Sequence, residues 1–379
     1  MNPNLKPEKT SSIEAGFEAA FWDNRLYLDF TYYKTDSRNQ ILKLATTAAS
    51  GYTSQVRNAG HIRNRGYEIQ LGAVPIQTSK GFRWNLDLNY GANSSKVVKL
   101  DDEGLITSYQ LYSSGIQILA SVGEAYGTLF GTSYVRDANG NVVVDANGLP
   151  KISTTNKTLG KFTPDWTGGI SNTFSYRSLS LSFLIDASVG GSIFSNTNKT
   201  GKYTGVLANT LSGRDAEHGG LWYYTDAMGN NVRLSESPSY SVSSDGLYYA
   251  QVNGQSTRVY QDGIMVEGVT ESGSKNEEVV SAEKYYHRIY SIAEANVYDA
   301  SYVKLREVAL SYRLPRLWTQ KLHLQEASVT LTGRNLWTIY KSVPNIDPES
   351  ALTTGNAQGV EAYSLPTTRS FGVNLSVKF

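Results

Sequence analysis

The residues with chemical capacity are thinly spread. His61, His218, His287 and His323 stand far apart, and none falls at a metal-ligand spacing. Asp215, Glu217 and His218 bring acid and base groups together, but no nucleophile motif and no Gly-rich phosphate loop accompanies them. No catalytic residue is assigned, and neither an enzyme nor a cofactor is expected. The chain has no Cys, which removes disulfide and thiolate-metal frameworks and suits assembly in an oxidising compartment.

Two repeats, Asp137-Ala138-Asn139-Gly140 and Asp145-Ala146-Asn147-Gly148, set side-chain oxygens at Asp137, Asn139, Asn141 and Asp145. Oxygen ligands at alternate positions are the spacing of calcium loops, although the bidentate Glu of such loops is missing and Asp-x-Asn-Gly is also turn chemistry. Aromatic clusters at Trp222, Tyr223 and Tyr224 and at Tyr285, Tyr286 and His287 fall in the longest connection, with Trp337 and Tyr340 at the edge of another. Rings flanked by polar groups stack on sugars or hold peptides, and barrel girdles and loop cores use the same residues.

Whatever these residues do, strands must hold them. The chain carries 26 Tyr, 6 Trp and 34 Gly beside 18% charged residues, a balance that favours strands and turns. A net charge of +1 gives no basic surface for nucleic acid. No apolar run approaches the roughly 18 residues of a spanning helix, and mean hydropathy is −0.35. A membrane barrel remains open, because its alternating strands give only a weak hydropathy signal. The opening Met1-Asn2-Pro3 shows neither a charged n-region nor an apolar h-region, so a processed chain or a fragment is expected.

Alternation of period two is clearest at the end. Phe371, Val373, Leu375, Val377 and Phe379 alternate with Gly372, Asn374, Ser376 and Lys378. The same pattern runs through residues 13–21 and 82–90, and further candidates are 25–34, 66–76, 125–136, 166–176, 179–189, 302–312 and 327–334. Within 302–312 the apolar phase slips from Val303 and Leu305 to Val308 and Leu310, which predicts a bulge near Arg306 or Glu307. Short turns at Asp23-Asn24 and Arg177-Ser178 contrast with long connections at 35–65, 94–124, 190–300 and 336–365, the asymmetry of outer-membrane barrels. Up-down parity conflicts with ten strands, and a return strand at Val142-Val143-Val144 after the Asn139-Gly140 turn brings the expectation to about eleven strands. The wet face then carries Glu14, Glu18, Glu68, Arg83, Asp87, Lys304 and Arg306 toward the lumen. Two open edges in lipid predict further strands upstream.

Several segments, in order and over nearly the whole chain, resemble the SusC/RagA group of TonB-dependent outer-membrane transporters. They are Asn2-Pro3-Asn4-Leu5-Lys6-Pro7-Glu8 with Gly16-Phe17-Glu18, Asn58-Ala59-Gly60 with Asn64-Arg65-Gly66-Tyr67-Glu68, and Phe82-Arg83-Trp84 with Asn93. Pro164-Asp165-Trp166-Thr167-Gly168-Gly169, Ala300-Ser301-Tyr302-Val303-Lys304-Leu305-Arg306-Glu307 with Leu314-Pro315, and Gly333-Arg334-Asn335-Leu336 follow. Asp347-Pro348-Glu349, Leu365-Pro366 and Arg369-Ser370-Phe371 complete the series.

The resemblance implies an all-β fold, an antiparallel transmembrane β-barrel in which residues 1–379 are the C-terminal part of a 22-strand barrel and 190–300 form a long extracellular loop. It implies TonB-dependent import of oligosaccharides or oligopeptides across the bacterial outer membrane with a SusD-like surface lipoprotein. TonB would act through an N-terminal region and plug that have no counterpart here. The terminal strand, Phe371 to Phe379, resembles the signal read by the barrel-assembly machinery. The alternative is a non-transporting β-rich surface or adhesive protein that binds ligands.

Overall fold

The structure is a computed structural model that describes residues 5–45, 51, 54–101, 103–321 and 323–379. Nine strands form one antiparallel sheet in chain order: β1 (Lys9–Phe21), β2 (Leu26–Arg38), β3 (His61–Gln77), β4 (Phe82–Lys99), β5 (Trp166–Tyr176), β6 (Leu179–Val189), β7 (Tyr302–Arg313), β8 (Glu326–Lys341) and β9 (Ser370–Lys378). Each is nine or more residues long, enough at roughly 3.3 Å per residue to cross a bilayer when tilted.

The register explains why these residues pair. Phe17, Phe30, Ile69, Tyr90, Gly168, Ala187, Val303 and Tyr340 lie opposite one another in a row across eight strands. A second row joins Ala19, Leu28, Leu71, Leu88, Ile170, Ile185, Leu305 and Trp337. One residue away the row is polar: Glu18, Asp29, Gln70, Asn89, Gly169, Asp186, Lys304 and Thr338. A sheet with one apolar and one polar face of this extent matches a barrel wall between lipid and lumen. Asn172 breaks the apolar face, and the Trp84 indole N–H donates to its Oδ1 at 3.1 Å, so its carbonyl is not left bare.

The expected bulge is present. Leu184 pairs with Glu307 and Ile185 with Leu305, which leaves Arg306 as the extra residue. Two expected strands do not join the wall. Of 125–136 only Tyr126–Gly131 is a strand; at six residues it is too short to span, and it pairs with Gln117–Ser121 and Lys157–Lys161 in a separate four-stranded sheet. Val142 to Val144 make only isolated bridges, to Arg136, Val269 and Pro150. The wall of nine still satisfies parity, since the conflict with ten is resolved by removing a strand rather than by adding one.

Turns at 22–25, 78–81, 177–178 and 314–325 leave one end of the sheet, and the connections 39–60, 100–165, 190–301 and 342–369 leave the other. The region 190–301 is folded: it holds α1 (Asn196–Thr204), α2 (Ala282–Tyr290) and strands of a six-stranded sheet. Three connections share one apolar core, made of Ile116, Ile118 and Leu129 from the second, Phe194 and Ala293 from the third and Val360 from the fourth.

The two faces make a direct prediction. Val373 faces with Leu331 and Asn374 with Thr330. Arg on the lipid face costs about 2–4 kcal/mol near midplane and little on the lumen face. Val373→Arg is expected to lower the yield of heat-modifiable, folded barrel in outer membranes, with Asn374→Arg near wild type; equal losses would reverse the assignment of faces.

Candidate functional site

The bulge at Arg306 organises the first polar centre. A β-bulge turns an extra side chain out of the strict alternation, and here the guanidinium meets Asp186 on β6, with Nε to Oδ1 at 2.6 Å and Nη2 to Oδ2 at 2.9 Å. It also meets Glu349 from the last long connection, through Nη1 to Oε2 at 2.7 Å and through Nη2 to Oε1. Lys304, 2% exposed, donates to Asp347 Oδ1 at 2.6 Å and Glu349 Oε2 at 2.5 Å. The Tyr302 hydroxyl donates to Glu349 Oε1 at 2.9 Å. Two cations and three carboxylates thereby clamp Asp347-Pro348-Glu349 onto β7.

Burial alone would raise Asp347; hydrogen bonds from Lys304, Thr367 and the Glu349 amide outweigh it and hold the carboxyl at about 2. Burial would likewise raise Glu349, and Arg306 and Lys304 hold it below the ordinary Glu value.

The second centre lies in the cap. Ser195 is the N-cap of α1, its Oγ accepting from the Asn198 N–H at 3.0 Å. The same hydroxyl donates to Glu361 at 2.7 Å, and Glu361, fully buried, also accepts from the Thr197 amide and hydroxyl. A carboxylate from the fourth long connection thus closes the positive end of a helix in the third. Arg288 of α2 pairs with Asp145 at 2.9 Å, and Arg136 with Glu294 at 2.8 Å. Between these parts lies a cleft of about 700 Å3 whose walls include Tyr134, Lys202, Leu221, Ile264, Tyr285 and Tyr286.

The expected contact residues divide. Tyr285 and Tyr286 line the cleft, and the Tyr286 hydroxyl donates to the carbonyls of Asn209 and Ser212 at 3.0 and 3.1 Å. His287 stacks on Tyr203, 4.1 Å between centroids, instead of joining them. Trp222 and Tyr223 are 7% and 4% exposed, a correction to their reading as ligand-facing rings. Trp222 packs with Ala250 and Val259 inside the six-stranded sheet, with Tyr224 half-buried against it, and Tyr223 stacks on Tyr260. Trp337 and Tyr340 are exposed at the cap end of β8, in the apolar rows; Trp337 also borders a pocket of about 200 Å3 beside Lys304 and Asp347.

The calcium spacing serves two separate turns. Asp137 Oδ1 accepts from the amides of Asn139 and Asn141, and Asp145 Oδ1 from those of Asn147 and Leu149. N–H donors and the Arg288 guanidinium stand where a cation would need free oxygen, so these residues do not form one ligand shell. Among the described residues no group of three or more His, Cys, Asp or Glu gathers to hold a metal. Asp215 and His218 pair at 2.7 Å to cap a short helical turn.

A family described as TonB dependent receptor-like, beta-barrel, matches residues 1–336. The chain belongs to this family. TonB-dependent receptor P3 of Formosa agariphila is 27% identical over 407 residues, which span 100% of this chain and 35% of that protein. TonB-dependent receptor SusC of Bacteroides thetaiotaomicron is 23% identical over 394 residues, 100% of this chain and 32% of that one. A structure of the RagAB peptide transporter shares the fold with a TM-score of 0.62 at 20% identity, over 100% of this chain and 36% of the other. The chain therefore spans about a third of the length of these relatives. It is an outer-membrane receptor barrel of this family, similar in sequence to SusC and in fold to the RagAB transporter.

The motifs of the receptor barrel now have physical roles. Gly66 lies under the Tyr33 ring, where a Cβ would come within 2.7 Å of the ring and 2.3 Å of the Ala92 carbonyl, and the Tyr33 hydroxyl donates to Asn93. Asn58 holds the backbone of Lys6 and of Asn39. Lys202 and Glu361, which sequence reasoning passed over, have partners far away in the chain and no local pattern to mark them.

Removing one partner of a buried ion pair costs about 3–5 kcal/mol. Lys304→Met is expected to expose the segment 342–369 to protease in the intact outer membrane while leaving the barrel heat-modifiable; unchanged cleavage would show that the clamp does not hold this connection. Asp347, depressed in the folded state, contributes stability that is complete above about pH 4 and lost as pH falls through about 2. Protease protection of 342–369 followed with an acid-active protease should decline only in that window, and a midpoint near pH 5 would contradict it.

Proposed function

We propose that the chain is the C-terminal part of a 22-strand barrel around a plug, importing oligosaccharides or oligopeptides handed over by a SusD-like surface lipoprotein. TonB supplies energy through a region upstream of the residues described here. Residues 190–300 form the largest part of the cap and face the outside, and calcium has no role in this reading. The terminal strand, Phe371 to Phe379, serves as the signal for barrel assembly.

The observation that carries the reading is the folded cap: four long connections leave the sheet at one end, and three of them share a core above a wall with a polar inner face. The outer edges of β1 and β9 pair with no strand among the described residues, and unpaired backbone in hydrocarbon costs several kcal/mol for each group. Upstream strands closing between β1 and β9 remove that cost.

Disruption of the full-length gene tests the import reading. Growth on one class of oligomer should fail while growth on its monomers persists. Surface binding retained without any uptake defect would favour an adhesive protein. Residues 9–379 expressed alone should give no stable, membrane-inserted monomer, and such a monomer would remove the need for further strands.

A further inference from the structure

The cleft in the cap contains a cation without a counterion. Lys202, in the last turn of α1, is 9% exposed and lines the cleft. Its ammonium donates to the Ala295 carbonyl at 2.8 Å and to Asn296 Oδ1 at 3.3 Å. An ammonium has three N–H donors, so one remains. Among the described residues no carboxylate pairs with it, although a buried lone charge is costly. Burial pulls its pKa down to about 8, which leaves it cationic at neutral pH. Lys199, three residues before, is accommodated differently, with its ammonium 4.2 Å from the Tyr290 ring centre.

The surroundings favour an anion. Lys202 Nζ lies 5.3 Å from the ring centre of Tyr298, whose hydroxyl is buried with no hydrogen-bond partner. Tyr134 and Tyr285 line the cleft with hydroxyls that bond to no protein group among the described residues. Among the lining residues the one acid is Glu267, and it is exposed, so no buried carboxylate opposes an incoming one. A volume of about 700 Å3 is within the roughly 300–1,000 Å3 of small-ligand sites.

We infer that this cleft is a subsite for a carboxylate-bearing oligomer, with the Lys202 ammonium taking the carboxylate and Tyr134 and Tyr285 flanking the rest. A single ammonium with one free N–H suits a monoanion, whereas sulfate and phosphate sites gather several cations or a forked guanidinium. The inference rests on the import reading for its purpose and on the cleft alone for its chemistry. An acidic sugar and a peptide C-terminus offer the same group.

The test is calorimetric titration of the full-length receptor in detergent with two matched pairs: trigalacturonate against maltotriose, and trialanine against its C-terminal amide. The charged member of one pair should bind at least about tenfold tighter than its neutral counterpart, the scale of a charge-assisted hydrogen bond. The pair that discriminates identifies the source of the carboxylate. Lys202→Met should abolish the preference and Lys202→Arg should retain most of it. Tyr285→Phe, which removes no protein hydrogen bond, should weaken binding in the same pair and supplies the test if Lys202→Met does not fold. No preference in either pair, or a preference that survives both Lys202→Met and Tyr285→Phe, overturns the subsite. Preference in vitro without any uptake in cells would instead overturn import and leave the subsite standing.

Discussion

Each backbone N–H and C=O of the nine strands has to find its partner on a neighbouring strand, because hydrocarbon supplies none. Register is therefore not free to drift. A slip of one residue in β1 alone would carry both Glu14 and Glu18 to the lipid side. The apolar rows from Phe17 to Tyr340 and from Ala19 to Trp337 are the side-chain consequence of that ladder. Departures come with local compensation: Asn172 on the apolar face accepts from Trp84, and Gly66 leaves room for the Tyr33 ring.

The bulge at Arg306 breaks the ladder to a purpose visible in the side chains. Before it, Val303 and Leu305 face lipid; after it, Val308 and Leu310 do. The extra residue resets the phase, so both halves of β7 keep an apolar outer face. It also places a guanidinium beside Lys304, where Asp186, Asp347 and Glu349 converge. Buried ion pairs add little net stability after desolvation. Their geometry nonetheless holds Asp347 and Glu349 of the fourth long connection over β7, where all five charges are paired.

The wall was legible because lipid on one side and water on the other write a period of two into the sequence. The phase slip disclosed the bulge for the same reason. Tyr126–Gly131 misled because a short apolar strand in a loop sheet reads like part of a wall strand, and its sequence does not say whether its apolar residues meet lipid or protein. Trp222 and Tyr223 misled because ring type carries no information on burial. Lys202 and Glu361 were silent because their partners lie 93 and 166 residues away, and only the folded cap brings them together.

Cap and wall answer to different solvents. An apolar wall residue gains little by leaving another side chain for a lipid tail, which is as apolar as Leu. In the cap, water is the alternative, and Ile116, Ile118, Leu129, Phe194 and Val360 are almost wholly removed from it. Because these residues come from three connections, no one connection can bury its share alone. The helix α1 illustrates the dependence, since the carboxylate at its start arrives from Glu361 in another connection. The distances between those connections are set by strand pairing in the wall below, and the Arg306 clamp joins the two. The cap that shapes the cleft is thus ordered by a register that the membrane imposes.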